Sequence, residues 1–233
     1  MADQGINLIE RDNFTARAYQ VLRLALMEGR FPPGHRFKVR DLAQMLGVSM
    51  TPVREALMQL VRERALEIMP GRLIAVARLT RAQYLELRTI RSSLEGLAAE
   101  QATARISASA IQTLQTLHGE LIDAEQTARW SDAVRVNWQF HHTLYKAADM
   151  PELLILIETI WLRNGPLLNF LYPHAPPTYP GRHQHLNVID GLKARDPAAV
   201  KEAIQADLAE GGAKLVEYLE QMELGQAGLK ETA

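Results

Sequence analysis

The sequence predicts a mainly α protein: an N-terminal winged helix-turn-helix with a small β-hairpin, followed by a C-terminal antiparallel all-α bundle. Three observations predict it. Apolar residues recur at helical spacing from the start, with Ala18, Val21, Leu22, Ala25 and Leu26 as the first set. The strand signal is confined to two short apolar runs, Leu66 to Met69 and Leu73 to Val76, which flank Pro70-Gly71-Arg72. Everything after them reads as long amphipathic helices with short connections, the pattern of a bundle. The boundaries expected are a flexible arm over 1–12, the winged helix over 13–78, a helical effector-binding and dimerisation domain over 79–222, and a tail over 223–233.

Each element has a local reason. Asn13 or Thr15 can cap a helix that runs to about Glu28, where Gly29 and the turn Phe31-Pro32-Pro33-Gly34 end it. Val39 to Met45 is a second short helix, and Gly47-Val48-Ser49 is the turn after it. Ser49 or Thr51 can cap a third helix, and Pro52 sits in its first turn, where a missing N–H costs nothing. Val53, Ala56, Leu57 and Leu60 form its inward face. In the bundle, Thr80 opens a helix over 81–104, Ser107 or Ser109 one to about Arg129, Ser131 one to Ala148, and Pro151 one to about Tyr172. A proline-rich loop follows from Tyr172 to Gly181. A fifth helix then runs to about Ala194, and Asp196-Pro197 opens the last, to about Met222.

With 233 residues, 47% of them hydrophobic, the chain can bury two small cores. No stretch approaches the roughly 20 apolar residues that span a bilayer, so no membrane partner is expected. The N-terminus lacks the charged-then-apolar order of a signal peptide. The absence of cysteine excludes disulfides, thiolate zinc sites and cysteine nucleophiles, and agrees with a cytoplasmic location. The net charge of −1 conceals an asymmetry. Residues 1–78 hold twelve basic residues, eleven of them arginine, against eight acidic ones, while the remainder is acidic. Arginine's planar fork suits phosphates and guanine edges, so double-stranded DNA is the expected partner of the N-terminal domain.

A recognition helix enters the major groove by its N-terminal end, so its first turn must offer hydrogen-bonding side chains. Here that turn is Ser49 to Arg54. Ser49 and Thr51 can donate to phosphate oxygens, and Arg54 can reach O6 and N7 of a guanine, worth about 1–3 kcal/mol of discrimination. Arg40 opens the preceding helix, and Arg72, beside Gly71 at the hairpin tip, can lie along the adjacent minor groove or phosphates.

The stretch from Gly34 to Leu60, with LGVSMTPVREAL at 46–57, closely resembles the winged helix of GntR-family regulators. The resemblance implies DNA contacts by Arg40, Thr51, Arg54, Gly71 and Arg72. One departure matters: Met50 stands where the family usually has arginine, which implies an altered operator preference or weaker binding. The later segments RSSLEGLAAEQA at 91–102, NWQFHH at 137–142 and the run from His185 to Val200 resemble the ligand-sensing FCD domain of the FadR subfamily.

In the helical part, Asn137 and His141 lie four apart on one helix face, with His185 on the fifth helix and Asp207 on the sixth. Helices of a bundle can bring such groups to one point. The resemblance implies a divalent metal site, with zinc, nickel, manganese or iron as candidates, at Asn137, His141, His185 and Asp207. Two of these four depart from the family's Asp, His, His, His set. Arg91 is the candidate effector residue: a guanidinium in a cavity must be paired, with the carboxylate of a small effector, with Glu95 four residues on, or with another bundle carboxylate. Tyr145, Trp138, Trp161 and Asn164 can line the pocket, whereas His142 and His183 are expected to point away into solvent. The function expected is a ligand-responsive transcriptional regulator, a homodimeric repressor of small organic acid metabolism and not an enzyme. The competing reading is a helical metal-dependent enzyme using His141 and His185.

Overall fold

A computed structural model describes residues 14–231, with side chains to residue 225. The expected arm at 1–12 and the candidate cap Asn13 lie outside the described residues. Helix α1 (Phe14–Met27) buries Ala18, Leu22, Ala25 and Leu26, successive members of one helical stripe. Against it packs α3 (Met50–Arg62) through Val53, Ala56, Leu57 and Leu60. Thr15 is not a cap; its hydroxyl donates to Glu55 Oε2 of α3 at 2.7 Å. Between them α2 (Val39–Leu46) ends on Gly47, whose φ of 67° is the left-handed conformation a non-glycine residue resists.

The wing has three strands, one more than the hairpin predicted from the sequence. Strands β2 (Leu66–Met69) and β3 (Leu73–Val76) pair antiparallel, and β1 (Arg36–Phe37) adds to the other edge of β3, giving the order β1-β3-β2. A strand of two residues has no alternation to read, which is why it was missed. The hairpin tip turns through Gly71 at φ 79° and Arg72 at φ 60°.

The C-terminal half contains seven α-helices among the described residues: α4 (Arg81–Arg105), α5 (Ala108–Gln126), α6 (Trp130–Lys146), α7 (Pro151–Asn164), α8 (Gln184–Ala194), α9 (Pro197–Glu210) and α10 (Ala213–Glu231). Thr80 and Gln83 form a reciprocal capping box on α4, while Ser107 and Asp196 cap α5 and α9. Two of the six predicted helices are interrupted. The fourth ends at Asn164 and continues as a 3-10 turn over Gly165–Phe170, because Pro166 has no N–H to carry the α pattern onward. The last is broken at Gly211-Gly212 and then runs past Met222 to Glu231. A Cβ on Gly211 would stand 3.0 Å from the Tyr179 hydroxyl, and one on Gly212 2.4 Å from that of Tyr84. These glycines let two tyrosines approach the backbone.

The two halves pack together along α1, α7 and the 3-10 turn. Gly165 sits on the end of α1, where a Cβ would lie 2.6 Å from the Leu26 carbonyl oxygen. The Asn169 amide donates to the Gly29 carbonyl at 2.7 Å, and Arg23 pairs with Glu158 at 2.8 Å.

Candidate DNA-reading face and effector cavity

The first turn of α3 and the wing tip present their polar side chains outward. Arg40, Ser49, Met50, Thr51, Arg54, Gly71 and Arg72 are all exposed. Ser49 occupies the N-cap position with extended backbone, yet its hydroxyl makes no capping hydrogen bond and stays available to an outside acceptor. None of Arg40, Arg54 and Arg72 forms an ion pair among the described residues, in contrast to Arg23, Arg30 and Arg91. The positive end of α3 adds to their field. Unpaired cations beside an open helix N-terminus are what a phosphate backbone requires.

The helical half encloses a cavity bounded by α4, α5, α6, α7, α9, α10 and the proline-rich loop, with Arg91, Asn137, His141 and Asp207 all on its wall. Arg91 is 4% exposed and Glu95 fully buried. The Arg91 Nε donates to Glu95 Oε1 at 2.6 Å and Nη2 to Oε2 at 3.3 Å, and the guanidinium lies 4.4 Å over the Trp161 ring. Of the partners the sequence offered Arg91, the structure supplies Glu95. Burial alone would lower Arg91's pKa, but Glu95 beside it holds it above the ordinary value. Nη1 makes no hydrogen bond among the described residues and is the guanidinium nitrogen left for a ligand.

Glu95 starts a continuous polar chain. Its Oε1 also accepts from Trp161 Nε1 at 3.0 Å, and its Oε2 accepts from the Tyr145 hydroxyl at 2.6 Å. That phenol has one proton, already donated to Glu95, so its 3.0 Å contact with His141 Nδ1 requires the imidazole to be the donor. Burial and the adjacent Glu95 carboxylate raise Tyr145 well above the usual phenol value, which keeps that proton in place. With Nδ1 protonated, neutral His141 turns the lone pair of Nε2 towards Asp207 Oδ2, 3.3 Å away, and His185 Nε2, 3.4 Å away. Acceptors facing each other in a buried site need something to share, whether a proton on His141 or His185 Nε2 or a metal ion. His141, His185 and Asp207 offer ligand atoms within 4.8 Å of one another, and imidazole nitrogen with carboxylate oxygen suits a divalent transition metal. A ligand histidine anchored through its second nitrogen is the usual support for such a site. The residues present therefore fit a metal, with Asn137 on the same cavity wall.

Burial would raise Asp207, but a proton on His141 Nε2, donated to the carboxylate, and the neighbouring imidazoles outweigh it and hold the carboxyl well below the usual range. The Tyr179 hydroxyl, from the proline-rich loop, donates to Asp207 Oδ1 at 3.1 Å and closes that side. Burial lowers His185 well below its ordinary value.

Several expectations change. His183 does not point into solvent: it caps α8, lines the cavity, and packs on His185 with ring centroids 4.4 Å apart. Burial lowers its pKa to about 4. His142 does face away, bonding Glu158 at 3.0 Å. Trp161 reaches the cavity wall, Tyr145 acts one layer behind it, and Trp138 packs on Trp161. Asn164 is fully buried, with neither amide atom hydrogen-bonded, and does not reach the cavity wall. Sequence reasoning missed Tyr84, Glu125 and Tyr179 on the wall. Glu125, pushed up by burial, accepts a short hydrogen bond from Tyr172. No local pattern marked these residues.

Residues 14–76 match the gntR family of bacterial regulatory proteins, and residues 86–210 match the FCD domain. The HTH-type transcriptional regulator McbR of Escherichia coli is 32% identical over 209 residues, covering 88% of this chain and 92% of its own. The HTH-type transcriptional repressor RspR of the same species is 28% identical over 193 residues, covering 82% and 84%. The solved structure of E. coli McbR/YncC superposes with a TM-score of 0.78 at 30% identity, over 88% of this chain and 98% of that one. A GntR regulator from Rhodococcus sp. RHA1 shares the fold, with a TM-score of 0.71 at 21% identity and coverage of 87% and 97%. McbR and RspR are transcriptional regulators, so the metal-enzyme reading is set aside, although His141 and His185 do meet. The chain belongs to the GntR family of bacterial regulatory proteins and, with its winged helix and FCD domain, is a DNA-binding transcriptional regulator.

Proposed function

We propose that this regulator is a homodimeric, cytoplasmic repressor whose operator affinity is set by a small carboxylate effector bound in the helical cavity. The observation that carries this reading is the placement of Arg91, His141 and Asp207 on one cavity wall, with buried His185 against His141 and Asp207 behind it. A twofold dimer would present two α3 helices to the half-sites of a short palindrome, with Arg54 on a guanine and Ser49, Thr51, Arg40 and Arg72 on flanking phosphates or groove edges. The domain boundaries expected from the sequence, near residue 78, divide these two tasks. RspR and the probable D-xylose utilization operon repressor of Paenarthrobacter nicotinovorans support the repressor reading.

In the cavity, Arg91 Nη1 would take one effector carboxylate oxygen. His141, His185 and Asp207, with Asn137 beside them, would hold a divalent ion. When bound, that ion supplies a Lewis-acidic anchor for the other end of the effector. Tyr145 fixes the His141 tautomer and Tyr179 shields Asp207. An effector changes operator affinity only if it favours one placement of the two winged helices. Helix α4 is the candidate link, since it begins three residues after the last residue of the wing domain and carries both Tyr84 and Arg91 to the cavity.

The test is a fluorescence-anisotropy titration on fragments of the protein's own promoter, with and without small carboxylates and after chelation. Specific binding that shifts with one carboxylate, and no longer shifts in Arg91→Lys, supports the reading. Operator affinity that ignores every metabolite bound by the protein overturns it.

A further inference from the structure

Outside the cluster of His141, His185 and Asp207, the structure gathers a second set of imidazoles. His118 on α5, His183 at the N-cap of α8 and His185 offer ligand nitrogens within 4.8 Å of one another. Their rings stack edgewise, at centroid distances of 5.0 Å for His118 and His183, 4.4 Å for His183 and His185, and 5.8 Å for His118 and His185. Nδ1 of His118 and Nδ1 of fully buried His185 have no hydrogen-bond partner. A buried imidazole nitrogen without a partner is costly, and two of them in one three-histidine cluster call for a shared ligand. Phe140 stacks on His185 at 3.7 Å and fixes the plane of its ring. Arg182, the cation near His118, is already paired with Asp190 at 2.7 Å.

We propose that His118, His183 and His185 form a second, all-imidazole site for a borderline transition-metal ion such as zinc, nickel or copper. Three nitrogens without a carboxylate favour these ions over manganese or magnesium. His185 belongs to both sets, and a neutral imidazole has one free lone pair, so it serves one ion at a time. Loading the site also alters the chain. His183 Nδ1 accepts the His185 backbone N–H at 3.1 Å and so caps α8. If the ion takes Nδ1, that lone pair is used; if it takes Nε2, the ring proton moves to Nδ1. Either way the cap bond ends. The ion is therefore bound at the expense of the α8 cap, where the proline-rich loop joins the helix, and metal availability reaches the loop that closes the cavity over Tyr179. This inference goes beyond the metal site of the proposed function and does not depend on it.

The test uses full-length protein, stripped by chelation and reloaded with one equivalent of Cu2+ as the probe. The copper EPR spectrum is expected to report three imidazole nitrogens. His118→Gln should reduce them to two and weaken copper binding at least tenfold, whereas the double variant His141→Gln/Asp207→Asn should keep all three. On the unsubstituted protein, loading should speed hydrogen exchange at the His185 amide, a readout that needs no variant. A spectrum unchanged by His118→Gln, with no gain in exchange at His185, overturns the second site. Loss of copper only in the double variant would overturn it while supporting the His141, His185 and Asp207 site; loss in neither variant would overturn both.

Discussion

The two working regions of this regulator are built from similar chemistry in opposite ways. On the proposed DNA-reading face, Arg40, Arg54 and Arg72 are exposed and make no ion pair among the described residues. In the cavity, Arg91, Glu95, Tyr145, His141 and Asp207 are buried and bound to one another in a chain of contacts from 2.6 to 3.3 Å. A surface reader draws its partners from the ligand, so its side chains can change without harming the fold. A buried polar chain must satisfy itself before any ligand arrives, and each member supports the next. Substitutions in the two regions should therefore register on different instruments.

The largest effect is expected at Glu95. Removing its carboxylate in Glu95→Ala leaves Arg91 as an uncompensated buried charge and takes the acceptor from Tyr145 and Trp161, a cost of about 3–5 kcal/mol. Thermal unfolding should show it as a large drop in Tm. Replacing Arg91 and Glu95 together by methionine should recover much of that loss, since two apolar side chains leave no stranded charge. A double variant as unstable as Glu95→Ala would show that the carboxylate matters for Tyr145 and Trp161 rather than for Arg91.

Arg54→Ala should behave in the reverse manner. Loss of a bidentate guanine contact is worth about 1–3 kcal/mol, which operator titration would read as specific binding weaker by about 5-fold to 150-fold. Unfolding should move by no more than about 0.5 kcal/mol, as for most exposed positions. A Tm loss comparable to that of Glu95→Ala would erase the contrast between the two regions.

The same contrast explains what was legible in the sequence. The proposed reading face lies within six consecutive residues, Ser49 to Arg54, plus Arg40 at the start of the preceding helix and a turn marked by glycine, so local spacing sufficed. The cavity network joins Glu95 to Tyr145 and Trp161, which are 50 and 66 residues away, and no local period reports such distances. His141, His185 and Asp207 were found through family motifs. His118, His183, Glu125 and Tyr179 have none and look like ordinary polar positions on helices and loops. Gly211-Gly212 did carry a signal, two adjacent glycines in a helical pattern, yet its meaning depended on Tyr84 and Tyr179, which approach from elsewhere in the chain.

Met50 offers a gain-of-function test of the reading face. It is exposed in the first turn of α3, beside Thr51. Met50→Arg should add one cationic contact to DNA, steepening the fall of log affinity with log salt by about 0.9. Titrations between low and moderate salt would measure it, and an unchanged slope would place residue 50 away from the phosphates.

The smallest effect is expected where the two regions meet. Arg23 of α1 pairs with Glu158 of α7, which also bonds His142. These hydrogen bonds, that from His142 first, outweigh burial and hold the Glu158 carboxyl below its ordinary value of 4.5. A carboxyl depressed on folding contributes stability that is complete above its unfolded pKa and is lost as the pH falls through the folded one. Arg23→Ala should then cost about 1 kcal/mol or less near neutrality, the range of partly exposed pairs. Glu158→Gln should cost a similar amount, and the difference from the parent protein should vanish in stronger acid, where Glu158 is protonated anyway. The seam gives this small loss a larger meaning. If α1 and α7 transmit the state of the cavity to the winged helix, Arg23→Ala should reduce the shift in operator affinity caused by the effector while leaving effector binding unchanged. An undiminished shift would assign the coupling to α4 alone.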